Sequence, residues 1–550
     1  MKLQRDAHIL LIFLLAAVIF LLISQRFKYK NNLVNAIHKK NSHTALTISN
    51  GKTKENPNYE KFITIVNPIR SREQWNNKLT ESLERQLFSI TSRNLNATWL
   101  IQYDNLDDEE IISLLKSQSS TQEVGALLEV SRKWASDARV KYKIDEGDYY
   151  RPDKVFLSGY SQKERKKLIS TYFKKFNEVF YYSPHVVGAW YIDAYSNLLL
   201  TKLNVTAALT LSDQFDTDAA SIWGKYLSVP YYPATLNPLE PASSLTSKVP
   251  IVTIQWAQRD PVASYGKEIK HSRQSLQAND YISNGFTTDY FLNLLENYLS
   301  NTINDFMQIT IGLEAAQEAD RFASEFDKQL DVIGNLQKSS NVQVLTLSGF
   351  AFWYKNKYPD LSPNHVLLKG DNIWYMSPKF RLALFKEDNH FILKDLRYYQ
   401  NHPFNDYFLK DTDTYLLKNT SATIDQVKYS NQIDLGPSKK YEINSDFDQF
   451  SIKLDNSLIE VDLSGLKKDG KYLVKNKSYE IDKNRFRIQN LQENMVELLN
   501  TLRFSSINGE IFFGFVPGDD LYGFKGILPG KYSFDYQILS RFKSPADLLR

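Results

Sequence analysis

The segment Val186-Val187-Gly188-Ala189-Trp190-Tyr191-Ile192-Asp193 is an apolar run that leads directly into a carboxylate. A run of this kind is typical of a strand that is buried on both faces of a parallel sheet. The same pattern of an apolar run followed by an acid recurs at 123–130, 205–213, 251–260 and 307–314. Because ligands bind at the carboxyl ends of parallel strands, we place the candidate site where these runs end.

The order of predicted elements extends this pattern over most of the chain. Apolar runs alternate with amphipathic helical patterns from residue 62 to about 358. Seven or eight strand–helix repeats of this kind predict a parallel α/β sheet closed into a (β/α)7–8 barrel at residues 61–360. Short alternating segments and the hairpin dipeptides Asp469-Gly470 and Asn508-Gly509 follow. They predict a β-rich, sandwich-like C-terminal domain at residues 361–550.

The N-terminal residues read as a membrane anchor and a stalk. The run from Ala7 to Ile23 is apolar apart from His8 and is long enough to cross a bilayer. A signal peptide is the alternative, but no small-residue cleavage site follows Ser24. We therefore predict a transmembrane anchor at residues 1–24 and a flexible, polar stalk at residues 25–60. Basic residues flank both ends of the span, and we predict that the body lies outside the cytoplasm.

Composition narrows the function classes. The net charge is +4, from 67 basic and 63 acidic residues, which does not indicate a nucleic-acid-binding surface. The chain has no cysteine, which excludes disulfides, thiolate metal sites and cysteine catalysis. The eight histidines include no pair with the spacing of a zinc site, and we expect neither a metal nor another cofactor.

Two short motifs carry a family resemblance. Glu123-Val124-Gly125 lies on the third predicted strand, and Val187-Gly188-Ala189-Trp190 lies on the fourth. In these motifs and in the order of its elements, the chain resembles the glycoside hydrolase/deacetylase β/α-barrel superfamily. That superfamily includes the NodB-like polysaccharide deacetylases and the family 57 and family 38 glycosidases. The resemblance covers residues 60–360 and implies a carbohydrate-active barrel followed by a β-rich domain.

The chain departs from the deacetylases at the positions that carry their chemistry. Those enzymes have Asp-Asp-Gly after the first strand, where this chain has Val66-Asn67-Pro68-Ile69. They have two metal-binding histidines after the third-strand motif, where residues 126–130 are Ala-Leu-Leu-Glu-Val. Without a base or ligands, metal-assisted deacetylation is not expected.

Glycoside hydrolysis remains, since it needs two carboxylates and no metal. By strand position, the resemblance implies Asp193 as the nucleophile and Glu314 or Asp213 as the acid/base. The alternative for Asp193 is an ordinary helix cap, because Ala194-Tyr195-Ser196 opens a predicted helix. The alternative for Asp213 is a turn carboxylate.

Further polar and aromatic residues near the strand ends are candidates for substrate binding: Glu129, Trp190, Trp223, Gln255, Trp256, Arg259 and Asp260. Structural roles compete with this hypothesis. Glu129 could pair with Arg132 or Lys133, the tryptophans could belong to the core, and Arg259 and Asp260 could form salt bridges. The Pro- and Tyr-rich insertion at residues 215–248 is typical of a lid or a substrate-binding loop.

Three functional hypotheses follow. The first is a membrane-anchored, metal-independent glycoside hydrolase-like enzyme that acts on cell-envelope or extracellular polysaccharide. The second is a degenerate barrel that binds or scaffolds glycan without turnover. The third is a lectin-like module in which the C-terminal β domain binds the sugar. The separation of the carboxylates discriminates the first hypothesis from the others, since retaining catalysis needs about 5 Å and inverting catalysis somewhat under 10 Å.

Overall fold

The computed structural model describes residues 46–49, 52–53, 56–72, 78–143, 152–217, 220–315 and 317–399, and separate segments between 418 and 526. The predicted anchor, residues 1–24, lies outside the described residues. Among the residues that are described, no helix is both long enough and apolar enough to cross a membrane.

Eight parallel strands form the central sheet. They are β1 (Glu60–Ile69), β2 (Ala97–Gln102), β3 (Gln122–Leu127), β4 (Val186–Gly188), β5 (Ala207–Leu211), β6 (Val252–Trp256), β7 (Phe306–Ile311) and β8 (Val342–Leu345). The strand order is β6-β5-β4-β3-β2-β1-β7, and β8 also pairs with β1. The strand predicted at residues 186–193 is shorter than expected, because the chain leaves the hydrogen-bonded sheet after Gly188.

Helices cover the outside of this sheet. The longer ones are α1 (Leu79–Thr91), α2 (Glu109–Lys116), α3 (Arg132–Asp137), α4 (Gln162–Phe180), α5 (Ala194–Lys202), α6 (Ala278–Ser283), α7 (Thr288–Leu299), α8 (Gln317–Ser339) and α9 (Leu347–Lys357). Short helices lie at Pro152–Val155, Ile269–Ser272 and Gln426–Tyr429, and single 3₁₀ turns at Tyr103–Asp107, Leu157–Gly159 and Leu245–Ser247. The sequence places the start of α4 correctly, since Ser161 and Glu164 form a capping box.

Side chains alternate between the lumen and the helical layer. In β1, Phe62 and Val66 belong to the lumen core, whereas Ile63 and Ile65 pack under the helices. The lumen is narrow: a Cβ on Gly125 would lie 2.5 Å from a Val186 methyl group. Aromatic residues of α9 close the lower end, where the Phe350 and Phe62 rings are 5.4 Å apart. The lumen is thus a packed core and not a channel.

The barrel is not fully closed, because no main-chain ladder joins β6 to β7 within the described sheet. The insertion after β5 lies along the free edge of β6. The Tyr231 N–H donates to the Thr253 carbonyl at 3.1 Å, and the Thr253 N–H donates back at 2.8 Å. Gln258 bridges the gap, since its Oε1 accepts from the Thr310 N–H at 2.7 Å and its Nε2 donates to the Gln308 carbonyl at 3.4 Å. The predicted closure is therefore corrected to a near-closed barrel with one seam.

The same contacts overturn the prediction that residues 215–248 form a lid. Most of the described part of this insertion is buried, and it packs between the barrel and the C-terminal strands. The Tyr226 hydroxyl donates to the Pro363 carbonyl at 3.4 Å, and the Tyr232 N–H donates to Ser362 Oγ at 2.8 Å. Its proline and tyrosine content serves a buried wall, because the rings fill the junction while their hydroxyls bond to carbonyls.

The C-terminal region is β-rich, as predicted, and most of its strand pairs are antiparallel. The sheet next to the barrel contains β9 (His365–Lys369), β10 (Asn372–Met376), β11 (Phe380–Glu387), β12 (His390–Tyr398), Ile424–Asp425 and Ile433–Pro437. Two asparagine side chains cover its β9 edge. Asn304 bonds to both the N–H and the carbonyl of Val366 at 2.8 Å, and Asn301 Oδ1 accepts from the Leu368 N–H at 2.7 Å. These amides take the place of a neighbouring strand.

The remaining strands lie in three further sheets. The first sheet contains Leu46–Ser49, Lys52–Thr53, Tyr441–Ser445, Gln449–Leu454, Leu458–Asp462 and Arg485–Gln489. The second contains Leu473–Lys475, Glu480–Asp482, Arg503–Ile507, Glu510–Phe515 and Tyr522–Gly526. The third contains Gln214–Thr217, Ala220–Trp223 and Lys418–Asn419. The hairpin predicted at 508–509 is confirmed by the antiparallel pairing of the strands on either side, and Asp469-Gly470 lies outside the described residues.

The predicted stalk needs a correction at these residues. Leu46–Ser49 pairs with Tyr441–Ser445, and Lys52–Thr53 pairs with Leu46–Ser49, although residues 25–60 were expected to lack structure. The reason is the alternating Leu-Thr-Ile-Ser sequence, which suits a strand.

Candidate site at the barrel mouth

The barrel mouth is the opening at the carboxyl ends of the parallel strands. The residues that come directly after these strands surround it. Arg70 follows β1, Glu129 follows β3, Trp190 follows β4 and Glu314 follows β7. Each lies an even number of residues after a lumen-facing side chain, so the two-residue period of the strands brings them to the same opening.

A single guanidinium binds two carboxylates there. Arg70 Nε and Nη2 donate to the two carboxylate oxygens of Glu129 at 2.8 and 2.9 Å, and Arg70 Nη1 contacts Glu314 Oε2. The side chains of Arg70, Glu129 and Glu314 are 3%, 5% and 16% exposed. Burial alone would lower the pKa of Arg70, but the two glutamates raise it above its ordinary value. Arg70 therefore stays protonated and keeps both carboxylates close to it.

Two tryptophans lie beneath this ion cluster. The Arg70 guanidinium lies over the Trp190 ring at 5.3 Å from its centroid, and the centroids of Trp190 and Trp256 are 6.0 Å apart. Trp256 fills the upper lumen because residue 312 is glycine. A Cβ there would lie 1.7 Å from the Val66 carbonyl oxygen and 2.9 Å from the Trp256 ring. The mouth is therefore a shallow, half-apolar surface above a filled lumen.

Only part of this cluster is open to a ligand. Both oxygens of Glu129 are bonded to Arg70, and its side chain is buried. Glu314 is partly exposed and uses Oε2 for Arg70. Trp190 is half-buried. Glu314 and Trp190 are thus the predicted site residues that a molecule at the mouth can contact.

The structure places Asp193, the predicted nucleophile, at the start of α5. Its side chain is fully buried, and its Oδ1 accepts from Arg165 Nη1 at 2.8 Å and from the Ser196 N–H at 2.9 Å. Oδ2 accepts from Ser196 Oγ at 2.6 Å. These bonds make Asp193 the N-cap of α5, the alternative that the sequence left open. A nucleophile must reach its substrate, so this placement does not support catalysis by Asp193.

Asp213 is also buried and paired. Its carboxylate contacts Arg381 of β11 and accepts from the Gly224 N–H at 3.1 Å and the Lys225 N–H at 3.3 Å. Arg381 Nη2 continues to Asp395 at 2.8 Å. Asp213 therefore belongs to an ion network between the barrel and the C-terminal sheet.

The remaining predicted binding residues have structural partners. Trp223 Nε1 donates to Asp425 at 3.0 Å, and Gln255 Nε2 donates to the Val229 carbonyl at 2.7 Å. Trp256 is 1% exposed. Arg259 pairs with Asp280 at 2.8 Å, and Asp260 pairs with Lys369 and accepts from the Val262 and Ala263 N–H groups. These residues stabilise the turn at residues 260–263 and the insertion at residues 215–248. They are not open to a ligand at the barrel mouth.

The arginines that pair with these carboxylates were not among the predicted site residues. Arg70 pairs with Glu129 and Glu314. Arg165 pairs with Asp193, and Arg381 pairs with Asp213. Glu129 forms an ion pair, as the alternative interpretation expected, but its partner is Arg70 and not Arg132 or Lys133. A signal for Arg70 existed, because it directly follows the first buried strand. Arg165 and Arg381 lie in a helix and a distant strand, where nothing local indicates a partner.

In the part of the chain that the structure describes, no group of three or more histidine, aspartate or glutamate side chains is arranged to hold a metal ion. Arg70, directly after β1, and Glu129, after β3, bind each other.

No protein-family model and no curated protein sequence matches the chain. Solved structures of the glycoside hydrolase/deacetylase class do. A Parabacteroides distasonis protein provisionally assigned as a glycoside hydrolase/deacetylase is 16% identical, with 67% of this chain and 91% of that chain covered and a TM-score of 0.49. A provisionally assigned polysaccharide deacetylase from Mycobacterium smegmatis is 12% identical, with 57% and 97% covered and a TM-score of 0.34. A Bacillus subtilis peptidoglycan deacetylase is 12% identical, with 55% and 95% covered and a TM-score of 0.27.

Proposed function

We propose that this protein is a carbohydrate-active barrel that binds glycan at the barrel mouth without hydrolysing it. One observation carries the proposal: every carboxylate that the sequence offers for catalysis is paired with a buried arginine. Asp193 is bound to Arg165, Asp213 to Arg381, and Glu129 and Glu314 to Arg70.

The burial and the pairing conflict with the catalytic roles of a carboxylate. A general acid, a nucleophile or a base must each present a carboxylate oxygen to the substrate. Asp193, Asp213 and Glu129 are buried, so none of them does so.

The carbohydrate class rests on the sequence resemblance in residues 123–125 and 187–190. Two groups at the mouth suit a sugar. The exposed part of Trp190 offers apolar ring surface, and Glu314 offers a carboxylate oxygen that accepts bonds from sugar hydroxyls. The deacetylases among the similar structures suggest peptidoglycan as the first glycan to examine.

The test is a binding panel with the full-length chain. Insoluble peptidoglycan, an N-acetylglucosamine hexasaccharide, a xylan and an α-glucan are examined for retention and for released reducing ends. We expect retention of at least one glycan and no release. Trp190→Ala and Glu314→Gln should each weaken retention about tenfold or more, which corresponds to about 1.4 kcal/mol. The matched controls are Phe352→Ala and Glu296→Gln, which change exposed residues and should leave glycan retention unchanged. Retention of no glycan, or equal loss in the controls, overturns the proposal.

A second candidate function is hydrolysis through Glu129 and Glu314. The observation that favours it is that both carboxylates contact the same guanidinium, which brings them close enough to flank a bond. Reducing ends released by the wild-type chain and lost in both Glu129→Gln and Glu314→Gln would establish this function in place of pure binding.

We also propose that residues 1–24 anchor the protein in the cell membrane, with the body outside the cytoplasm. The support is the apolar run at residues 7–23. Carbonate extraction of membranes should leave the full chain in the pellet and release a chain that starts at residue 25. Protease added to intact cells should cleave the body. Release of both chains by carbonate contradicts the membrane anchor. Protection of the body from protease contradicts the proposed orientation.

A further inference from the structure

Three neutral amide side chains hold the backbone on which the ion cluster stands. Gln102, at the end of β2, is fully buried between the loops that carry Arg70 and Glu129. Its Oε1 accepts from the Ser71 N–H at 2.8 Å, and its Nε2 donates to the Glu129 carbonyl at 3.2 Å. One side chain thus fixes the backbone next to both members of the first ion pair.

The other two amides act on the same loops. Asn105 Nδ2 donates to the Ile69 and Arg70 carbonyls, each at 3.1 Å. Gln86, on α1, donates from Nε2 to the Glu314 carbonyl at 3.1 Å. Both side chains are buried, with 2% exposure.

We infer that Gln86, Gln102 and Asn105 are positioning residues that set the geometry of Arg70, Glu129 and Glu314 at the mouth. A long glutamate or arginine side chain loses considerable rotamer freedom when it binds a ligand. A fixed backbone reduces that cost, because the ion cluster is already arranged before a ligand arrives. This inference rests on the proposed binding function, but its structural part can be measured without a ligand.

The variants are Gln102→Leu and Gln86→Leu. Leucine has nearly the volume of glutamine and removes both the donor and the acceptor. The matched control is Gln329→Leu. Gln329 is also fully buried and its Nε2 also donates to a carbonyl, that of Leu276 at 3.0 Å, but it lies on α8 and contacts Leu276 and Tyr281. All three variants should lose stability to a similar degree.

The first readout is spectroscopic and needs no ligand. Arg70 lies over Trp190, so the near-ultraviolet circular dichroism of Trp190 reports the position of Arg70. That signal is the difference between each chain and the same chain carrying Trp190→Phe. We expect it to fall by about half or more in Gln102→Leu and to stay at the wild-type level in Gln329→Leu. An unchanged signal in Gln102→Leu, or an equal fall in Gln329→Leu, overturns the inference.

The second readout is affinity for the N-acetylglucosamine hexasaccharide and for insoluble peptidoglycan. We expect Gln102→Leu and Gln86→Leu to weaken binding about tenfold, and Gln329→Leu to leave it unchanged at a temperature where all three are folded. In a Glu314→Gln background, Gln86→Leu should cause no further loss, because the carboxylate that Gln86 positions is already absent. Full additivity there counts against the role of Gln86. A wild-type chain that retains none of the four glycans of the binding panel refutes the proposed function, while the dichroism measurement still decides the positioning role.

Discussion

Arg165 Nη1 and Asp193 Oδ1 are 2.8 Å apart, and both side chains are completely buried. The pair joins α4 to the start of α5. We predict that Asp193→Asn lowers the free energy of unfolding by about 3–5 kcal/mol, because it leaves a buried arginine without its charge partner. Urea denaturation measures this. Asp289→Asn changes an exposed aspartate in the first turn of α7 and should cost under about 1 kcal/mol. A variant of full stability that loses hydrolysis would instead make Asp193 a catalytic residue.

Arg381 connects the barrel to the C-terminal sheet through Asp213 on one side and Asp395 on the other. All three side chains are buried. Replacing Arg381 by Met leaves two buried carboxylates without their shared partner, and we expect a loss of about 3–5 kcal/mol in urea denaturation. Lys386→Met on the same strand removes a more exposed pair with Asp371 and should cost about 1 kcal/mol or less. Equal losses would show that the network contributes no more than a surface ion pair.

A chain that ends at residue 360, the predicted domain boundary, should not fold. The insertion that lies along the β6 edge is held from the other side by the C-terminal sheet, where the Leu227 N–H donates to Met376 Sδ at 3.0 Å and Tyr399 donates to the Gly224 carbonyl at 2.8 Å. Truncation exposes this buried wall. Circular dichroism and thermal melting of the truncated chain measure the outcome. A cooperative transition near the wild-type temperature would instead show that the barrel is an independent domain.

Lys225 is fully buried beside a small cavity lined by Tyr191, Thr210 and Thr253. Its amine contacts neutral oxygens of Leu211 and Thr210, because the nearby Asp213 carboxylate is used by Arg381. Burial lowers the pKa of Lys225 from 10.5 to about 7, although Asp213 opposes the shift. Between these two pH values the unfolded chain binds a proton that the folded chain does not, so the free energy of unfolding should rise with pH from 7 to 10.5.

The slope from this single group is at most about 1.4 kcal/mol per pH unit. Urea denaturation at several pH values measures it. Lys225→Met should lower the slope by up to this amount, whereas Lys270→Met, which changes an exposed lysine, should leave the slope unchanged. Parallel pH profiles for the wild type and Lys225→Met would show that Lys225 titrates normally.

Gln258 replaces a strand ladder across the seam between β6 and β7 with two side-chain bonds. We predict that Gln258→Leu lowers stability by about 1–3 kcal/mol, since it leaves the buried Thr310 N–H without its acceptor. Hydrogen exchange should show faster exchange at the Thr310 amide, while Ile309 within the β7–β1 pairing keeps its protection. Gln118→Leu, at the end of α2, is the control. Unchanged protection at Thr310 would mean that the seam is closed by other contacts.

Much of the fold could be predicted from local pattern. Near-continuous apolar runs located the barrel strands, and Ser161 with Glu164 located the start of α4. The Glu-Val-Gly and Val-Gly motifs have a packing reason, since the lumen at Gly125 has no room for a side chain. The strand ends likewise brought Glu129, Trp190 and Glu314 to the same mouth. These features depend on neighbours in sequence or on the geometry of a strand, and such information is local.

The partners of each charge were not local. Asp193 and Asp213 follow strands, as the carboxylates of a site would. Asp193 nevertheless pairs with Arg165, 28 residues away in sequence, and Asp213 pairs with Arg381, 168 residues away. The insertion at 215–248 has the composition of a lid, yet it is buried because the C-terminal sheet packs over it. Local patterns in the sequence thus predict a parallel barrel with acids at its strand ends and a β-rich region after it. They do not predict which of those acids remain open, because burial and charge pairing depend on segments that meet only when the chain is folded.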